Sequence, residues 1–146
     1  MKAPLVARIL GVLFLIAGIA GFLPWPQVAT PAPFDAPYIT LDQFYRFIGG
    51  IFAVNAVHDG VHIAFGLLGL LAGINFKAAR IYCKFVVWIY LVLIVLGLIP
   101  ITSTLFGIAP LYGWDIALHA IVLLIAAYGG YGAASRKDEE PLVMAR

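Results

Sequence analysis

The segment IFAVNAVHDGVHIAFGLLGLLAGI, residues 51–74, decides how this chain folds. It is long enough to cross a bilayer core, which takes about 20 apolar residues. Yet it carries Asn55, His58, Asp59 and His62 in one half and Gly66, Gly69 and Gly73 in the other. At roughly 100° per residue these positions fall within an arc of about 100°, so they share one helix face. The segment WDIALHAIVLLIAAYGGYGA, residues 114–133, repeats the design: Asp115 and His119 are continued by Val122, Ala126, Gly129 and Ala133. Gly69 and Gly73 form a small-xxx-small pair, which lets another helix backbone approach closely. Two helices patterned in this way are expected to be neighbours.

Composition supports the membrane reading. Of 146 residues 64% are hydrophobic and 11% charged, with a mean hydropathy of +1.04. A soluble domain is about half apolar and a quarter charged. The formal net charge of +2 comes with no basic cluster interleaved with aromatics, so nucleic acid is not an expected partner. Cys83 is the single cysteine, which excludes an intramolecular disulfide and makes a thiolate metal site an unfavoured reading.

Working outward from the two patterned segments gives four spans in one domain, residues 1–146, with spans at about 5–23, 51–74, 81–98 and 114–133. The first reads as a retained helix rather than a signal peptide, because its apolar part is long for an h-region. Residues 24–41 hold Pro24, Pro26, Pro31, Pro33 and Pro37, which forbid a helix and favour an extended surface loop. Thr40-Leu41-Asp42-Gln43 fits a capping box, so a short interfacial helix is expected before Gly49-Gly50. The tail SRKDEEPLVMAR, residues 135–146, is charged and without an apolar period. The expected class is all-α, an integral membrane four-helix bundle.

Lysine and arginine set its orientation. Lys2, Arg8, Lys77, Arg80, Lys84, Arg136, Lys137 and Arg146 fall on one side and Arg46 alone on the other. Both termini are therefore expected in the cytoplasm, with Trp25, Tyr38, Tyr45, Tyr112 and Trp114 in an outer aromatic belt. Histidine and aspartate then gather in the outer half of spans two and four.

The His58/His62 and Asp115/His119 pairs are each spaced i, i+4, one turn apart on one helix face. Ionisable groups inside a span are costly and rare, and point to function. Three imidazoles and a carboxylate are ligand types that zinc and other divalent transition metals accept. The expected ligands are His58, His62, Asp115 and His119, with Asn55 and Asp59 orienting imidazoles from behind. A tetrapyrrole is the other cofactor option. His58 and His62 share a face and cannot be trans ligands to one iron, so a haem or chlorophyll-type pigment would need His62 and His119, or His58 and His119, on its two sides. A structural polar cluster and a proton or ion path are the remaining readings. Ser103 and Thr104 have no base in sequence reach and are assigned no catalysis, and Tyr82, Trp88 and Tyr90 read as packing or belt residues.

The ordered motifs Asn55-x-x-His58-x-x-x-His62-x-x-x-Gly66-x-x-Gly69, Ala79-Arg80-x-Tyr82 and Asp115-x-x-Leu118-His119 resemble the bacterial membrane-protein family called domain of unknown function DUF4383. The likeness covers roughly residues 45–133 and departs from the family's usual asparagine at Asp59 and at Ile116. It implies four spans and a bacterial inner membrane, and supplies no activity. The function expected from the residues is metal binding between spans two and four. The alternatives are an accessory subunit of a larger membrane complex or a homo-oligomer, and a zinc-dependent intramembrane hydrolase with Asp59 or Asp115 as base.

Overall fold

The structure is a computed structural model that describes residues 2–25 and 38–132. Most of the proline-rich segment and the charged tail lie outside the described residues. Four helices carry the fold: α1 (Lys2–Gly21), α2 (Ala56–Ala72), α3 (Phe76–Leu98) and α4 (Trp114–Tyr131). A two-stranded antiparallel hairpin, β1 (Arg46–Ile48) and β2 (Phe52–Val54), precedes α2. The chain is an all-α four-helix bundle with a minor sheet.

α1, α3 and α4 are each long and apolar enough to cross a membrane, whereas α2, with 17 residues, is shorter. Each helix buries a stripe spaced mostly by three and four residues. On α1 the stripe is Ala3, Ala7, Leu10, Phe14, Gly18 and Gly21; on α4 it is Asp115, His119, Val122, Ala126 and Gly129. That spacing is the seam of near-parallel helices crossing at about 20°. The other faces leave large apolar side chains such as Leu5, Ile16, Leu71, Ile81, Trp88 and Leu124 more than half exposed. In water such a surface would aggregate. In lipid it costs nothing, so this is a membrane protein whose outer faces meet the bilayer.

α1 packs mainly on α2, and α3 mainly on α4. This corrects the expectation that the small-residue faces of spans two and four meet each other. A methyl group on Gly66 would meet the Leu15 side chain at 2.6 Å and Gly11 O at 2.9 Å; one on Gly69 would meet Ala7 O at 2.9 Å. Gly73 faces Arg8 and Pro4 in the same way. α1 wins this contact because it carries its own stripe of Ala7, Gly11 and Gly18, so two smooth faces close on each other. The small stripe of α4 is used elsewhere: Gly129 sits against Val6 of α1 and Cys83 of α3.

The second correction concerns residues 40–54. No helix forms after Thr40. Its amide and hydroxyl both donate to Gly107 O, at 2.8 and 3.0 Å, and Phe44 takes a left-handed φ of +56°. Gly49 and Gly50 adopt φ of +60° and +76° and make the hairpin turn, closed by Ile51 N–H donating to Ile48 O at 3.2 Å. Two successive positive φ angles suit the right-handed twist of a hairpin and are tolerated by glycine. Of the residues expected at the start of the second span, Ile51 therefore lies in the turn and 52–55 are extended.

α2 starts instead at Asn55, whose Oδ1 accepts the His58 amide at 2.9 Å. Asn75 caps α3 likewise, accepting from the Ala78 amide at 2.7 Å.

Candidate metal centre

His58 and His62 stand one turn apart on α2, their ring centroids 4.6 Å apart and the planes 71° to each other. His119 of α4 brings its ring centroid to 6.2 Å from that of His58. One ring nitrogen from each histidine lies within 4.8 Å of the other two. The three are 6%, 8% and 3% exposed. Since α2 and α4 pack principally on other helices, these side chains are what spans the gap between them.

For His58 the ring's surroundings fix the donor atom. His58 Nδ1 is 3.2 Å from Pro110 O. A carbonyl only accepts, so Nδ1 holds the proton and Nε2 keeps a free lone pair. The Nδ1 atoms of His62 and His119 are buried and have no hydrogen-bond partner. An unpaired buried polar atom is costly, and a ligand is one explanation for its persistence. Phe14 stacks on His62 at 5.6 Å, and Tyr90 meets His119 edge-on at 4.9 Å. Aromatic walls hold the imidazoles from two sides.

Asp115 is 2% exposed and its Oδ2 is unpartnered, but its carboxyl does not join the converging nitrogens. Asn55 is fully committed elsewhere: beyond capping α2, its Nδ2 donates to Leu41 O and Ile108 O, each at 2.7 Å. It tethers the loops that carry Leu41 and Ile108 rather than an imidazole ring. Asp59 turns away toward α1, where a methyl group on Gly21 would overlap its carboxyl, and neither carboxyl oxygen has a partner. The group that orients an imidazole from behind is thus the Pro110 carbonyl.

Two contributors were read in the sequence without a role at the site. One is the connection after α3. Ser103 and Thr104, 0% and 1% exposed, fold it back. Leu111 N–H donates to Ser103 O at 2.8 Å, Ala109 N–H to Thr104 O at 3.1 Å, and Gly107 N–H to Thr104 Oγ1 at 3.1 Å. Leu105 and Phe106 are held at φ of +47° and +58°, a backbone strained by roughly 1–3 kcal/mol per residue. The result delivers Pro110 to His58. The other is Tyr90, whose membership of the Ala79, Cys83, Val86, Tyr90 stripe on α3 would have marked it as facing inward.

Beside the histidines is a cavity of about 140 Å³, walled by Val57, Val61 and Phe65 of α2, Ile89, Tyr90 and Leu93 of α3, and roofed by Leu105, Ala109 and Leu111. Outside it, Tyr45 and Tyr112 share a hydrogen bond between their hydroxyls beneath the hairpin. Burial, then that bond, raises the Tyr112 phenol well above the usual tyrosine range, so it stays neutral.

At the opposite end the arginines close helix termini. Arg8 Nε donates to Gly73 O at 2.9 Å and Arg80 Nε to Gly130 O at 3.2 Å, while Lys2 and Lys84 lie over the rings of Tyr128 and Tyr131. Arg46, from the hairpin, donates to Leu23 O just past α1.

No curated protein and no solved structure matches the chain. Residues 5–132 match the family described as a domain of unknown function, DUF4383, and the chain belongs to that family.

Proposed function

We propose that this protein is a small integral membrane protein that binds a divalent transition metal, zinc foremost, through His58, His62 and His119. The convergence of three imidazole nitrogens from two helices within 4.8 Å of one another carries the reading. Zinc bonds imidazole at about 2.0–2.1 Å, so tetrahedral ligands stand ~3.3 Å apart. Small side-chain rotations would close the three histidines onto an ion. Three histidines with a fourth position open is a donor set of catalytic as well as storage sites, so the reading does not require catalysis.

A tetrapyrrole is the weaker alternative. Pockets for molecules of that size run to roughly 300–1,000 Å³, and the cavity beside the histidines offers about 140 Å³. The basic side chains gathered at one end, Lys2, Arg8, Arg80 and Lys84, support placing that end and both termini in the cytoplasm of a bacterial cell. The metal centre would then lie in the outer half of the inner membrane.

Metal content of the protein purified in mild detergent without chelators tests this. About one transition-metal ion per chain in the wild type, lost in His62→Ala, is the expected result. An intense Soret band, with any iron present accounted for by extractable haem, would instead assign the histidines to a tetrapyrrole. Neither ion nor pigment would leave the cluster a packing device.

A further inference from the structure

The converging donor set contains no acid, and that has a consequence for what else must bind. Three neutral imidazoles leave a divalent ion with both its positive charges uncompensated. No carboxylate is among the three converging donors: Asp115 of α4 stands outside the nitrogens' cluster, Asp59 turns toward α1, and Tyr90 of α3 packs its ring against His119 in a T-shaped contact. Uncompensated charge in an apolar interior is strongly disfavoured, which favours an anion as the fourth ligand.

The cavity selects among anions. Apart from the histidines and Tyr90 its walls are apolar side chains, so a hydroxide there would find few of the hydrogen-bond partners that hold buried water. Its volume of about 140 Å³ is close to that of engineered apolar cavities that admit a benzene ring, on the order of six carbons. The wall between α2 and α3 is incompletely covered: Val61 is 46% exposed, and Val57, Ile89 and Leu93 are half-buried. That wall lies among faces turned to lipid.

Resting on the metal-binding reading above, we infer that the His58/His62/His119 centre takes the carboxylate of a fatty acid as its fourth ligand. The first methylenes fill the cavity and the remaining chain passes between α2 and α3 into the bilayer. The step is a ligand exchange, in which the carboxylate displaces water from the ion and no covalent bond is made or broken.

The test uses metal-free protein in an uncharged detergent, titrated with Co²⁺ and followed by its visible absorption. Four additions are compared: decanoate, decanol, decyl sulfate and acetate. Decanoate is expected to tighten Co²⁺ binding by about tenfold or more over the other three and to shift the ligand-field bands. Decyl sulfate controls for micelle charge, decanol for chain burial and acetate for a soluble carboxylate. Val61→Trp, which crowds the wall without touching a ligand, should bind Co²⁺ as the wild type does and lose the decanoate effect. Normal Co²⁺ binding without a decanoate advantage overturns this inference alone. An equal gain from acetate and decanoate overturns the lipid source. Failure to bind Co²⁺ under every condition overturns the metal-binding reading together with it.

Discussion

Each histidine contributes one nitrogen to the cluster, so alanine at His58, His62 or His119 should weaken zinc binding by about a hundredfold or more, read by competition with a chromophoric chelator. Asp115→Asn is the contrasting case. Its carboxyl is apart from the three nitrogens, so zinc affinity should stay within about tenfold of wild type; a hundredfold loss would restore it as a ligand. Asn55 has a different kind of importance, since one side chain caps α2 and holds Leu41 and Ile108. Asn55→Ala should cost about 2–4 kcal/mol, from a lost cap and two lost buried hydrogen bonds. Asn55→Ser keeps a capping oxygen without setting an acceptor against the Leu41 and Ile108 carbonyls, and should recover about 1 kcal/mol of that in thermal unfolding. The histidines were legible in the sequence because three of them fall at i, i+4 spacing with acids in two apolar segments, a cluster harder to assign to packing than a lone imidazole. Asn55 was seen, but its partners are loop carbonyls fourteen and fifty-three positions away, and no local spacing encodes those. Pro110 was invisible for a similar reason: its functional atom is a backbone carbonyl, which every residue has.

Among the elements, the α1–α2 contact is the tightest, because backbone meets backbone. A methyl on Gly11 would approach Leu70 N at 2.8 Å and Gly66 O at 2.9 Å, neither of which can rotate away. Gly11→Leu should therefore push the helices apart and lower the thermal midpoint in detergent, by overpacking of about 1–3 kcal/mol or more. Ile9→Leu, on an exposed face of the same helix, should leave it unchanged. Hydropathy and small-residue periodicity were enough to foresee four helices. They could not assign partners, since α2 presents the same smooth stripe to any neighbour and α1 has the better complement. The hairpin was missed because Gly49-Gly50 reads equally as a helix break or a turn, and because Thr40 satisfied a capping pattern. Tertiary bonds from Thr40 to Gly107 settled both in favour of extended chain.

For the molecule as a whole, the exposed apolar faces and the segregation of basic side chains predict one orientation. A cysteine at the exposed Lys77 and one at the exposed Ile101, each in a Cys83→Ala background, should label from opposite sides of the membrane. Labelling of both from the same side would contradict four membrane-crossing helices. The bundle holds a polar centre near one end, roofed by the 99–113 connection and steadied by the hairpin. X-ray absorption at the zinc edge of the zinc-loaded protein reads the ligands of that centre. Four-coordinate zinc with three imidazoles and one oxygen ligand at about 2.0–2.1 Å is expected. A spectrum with one imidazole or none, or with a sulfur ligand at about 2.3 Å, would contradict it.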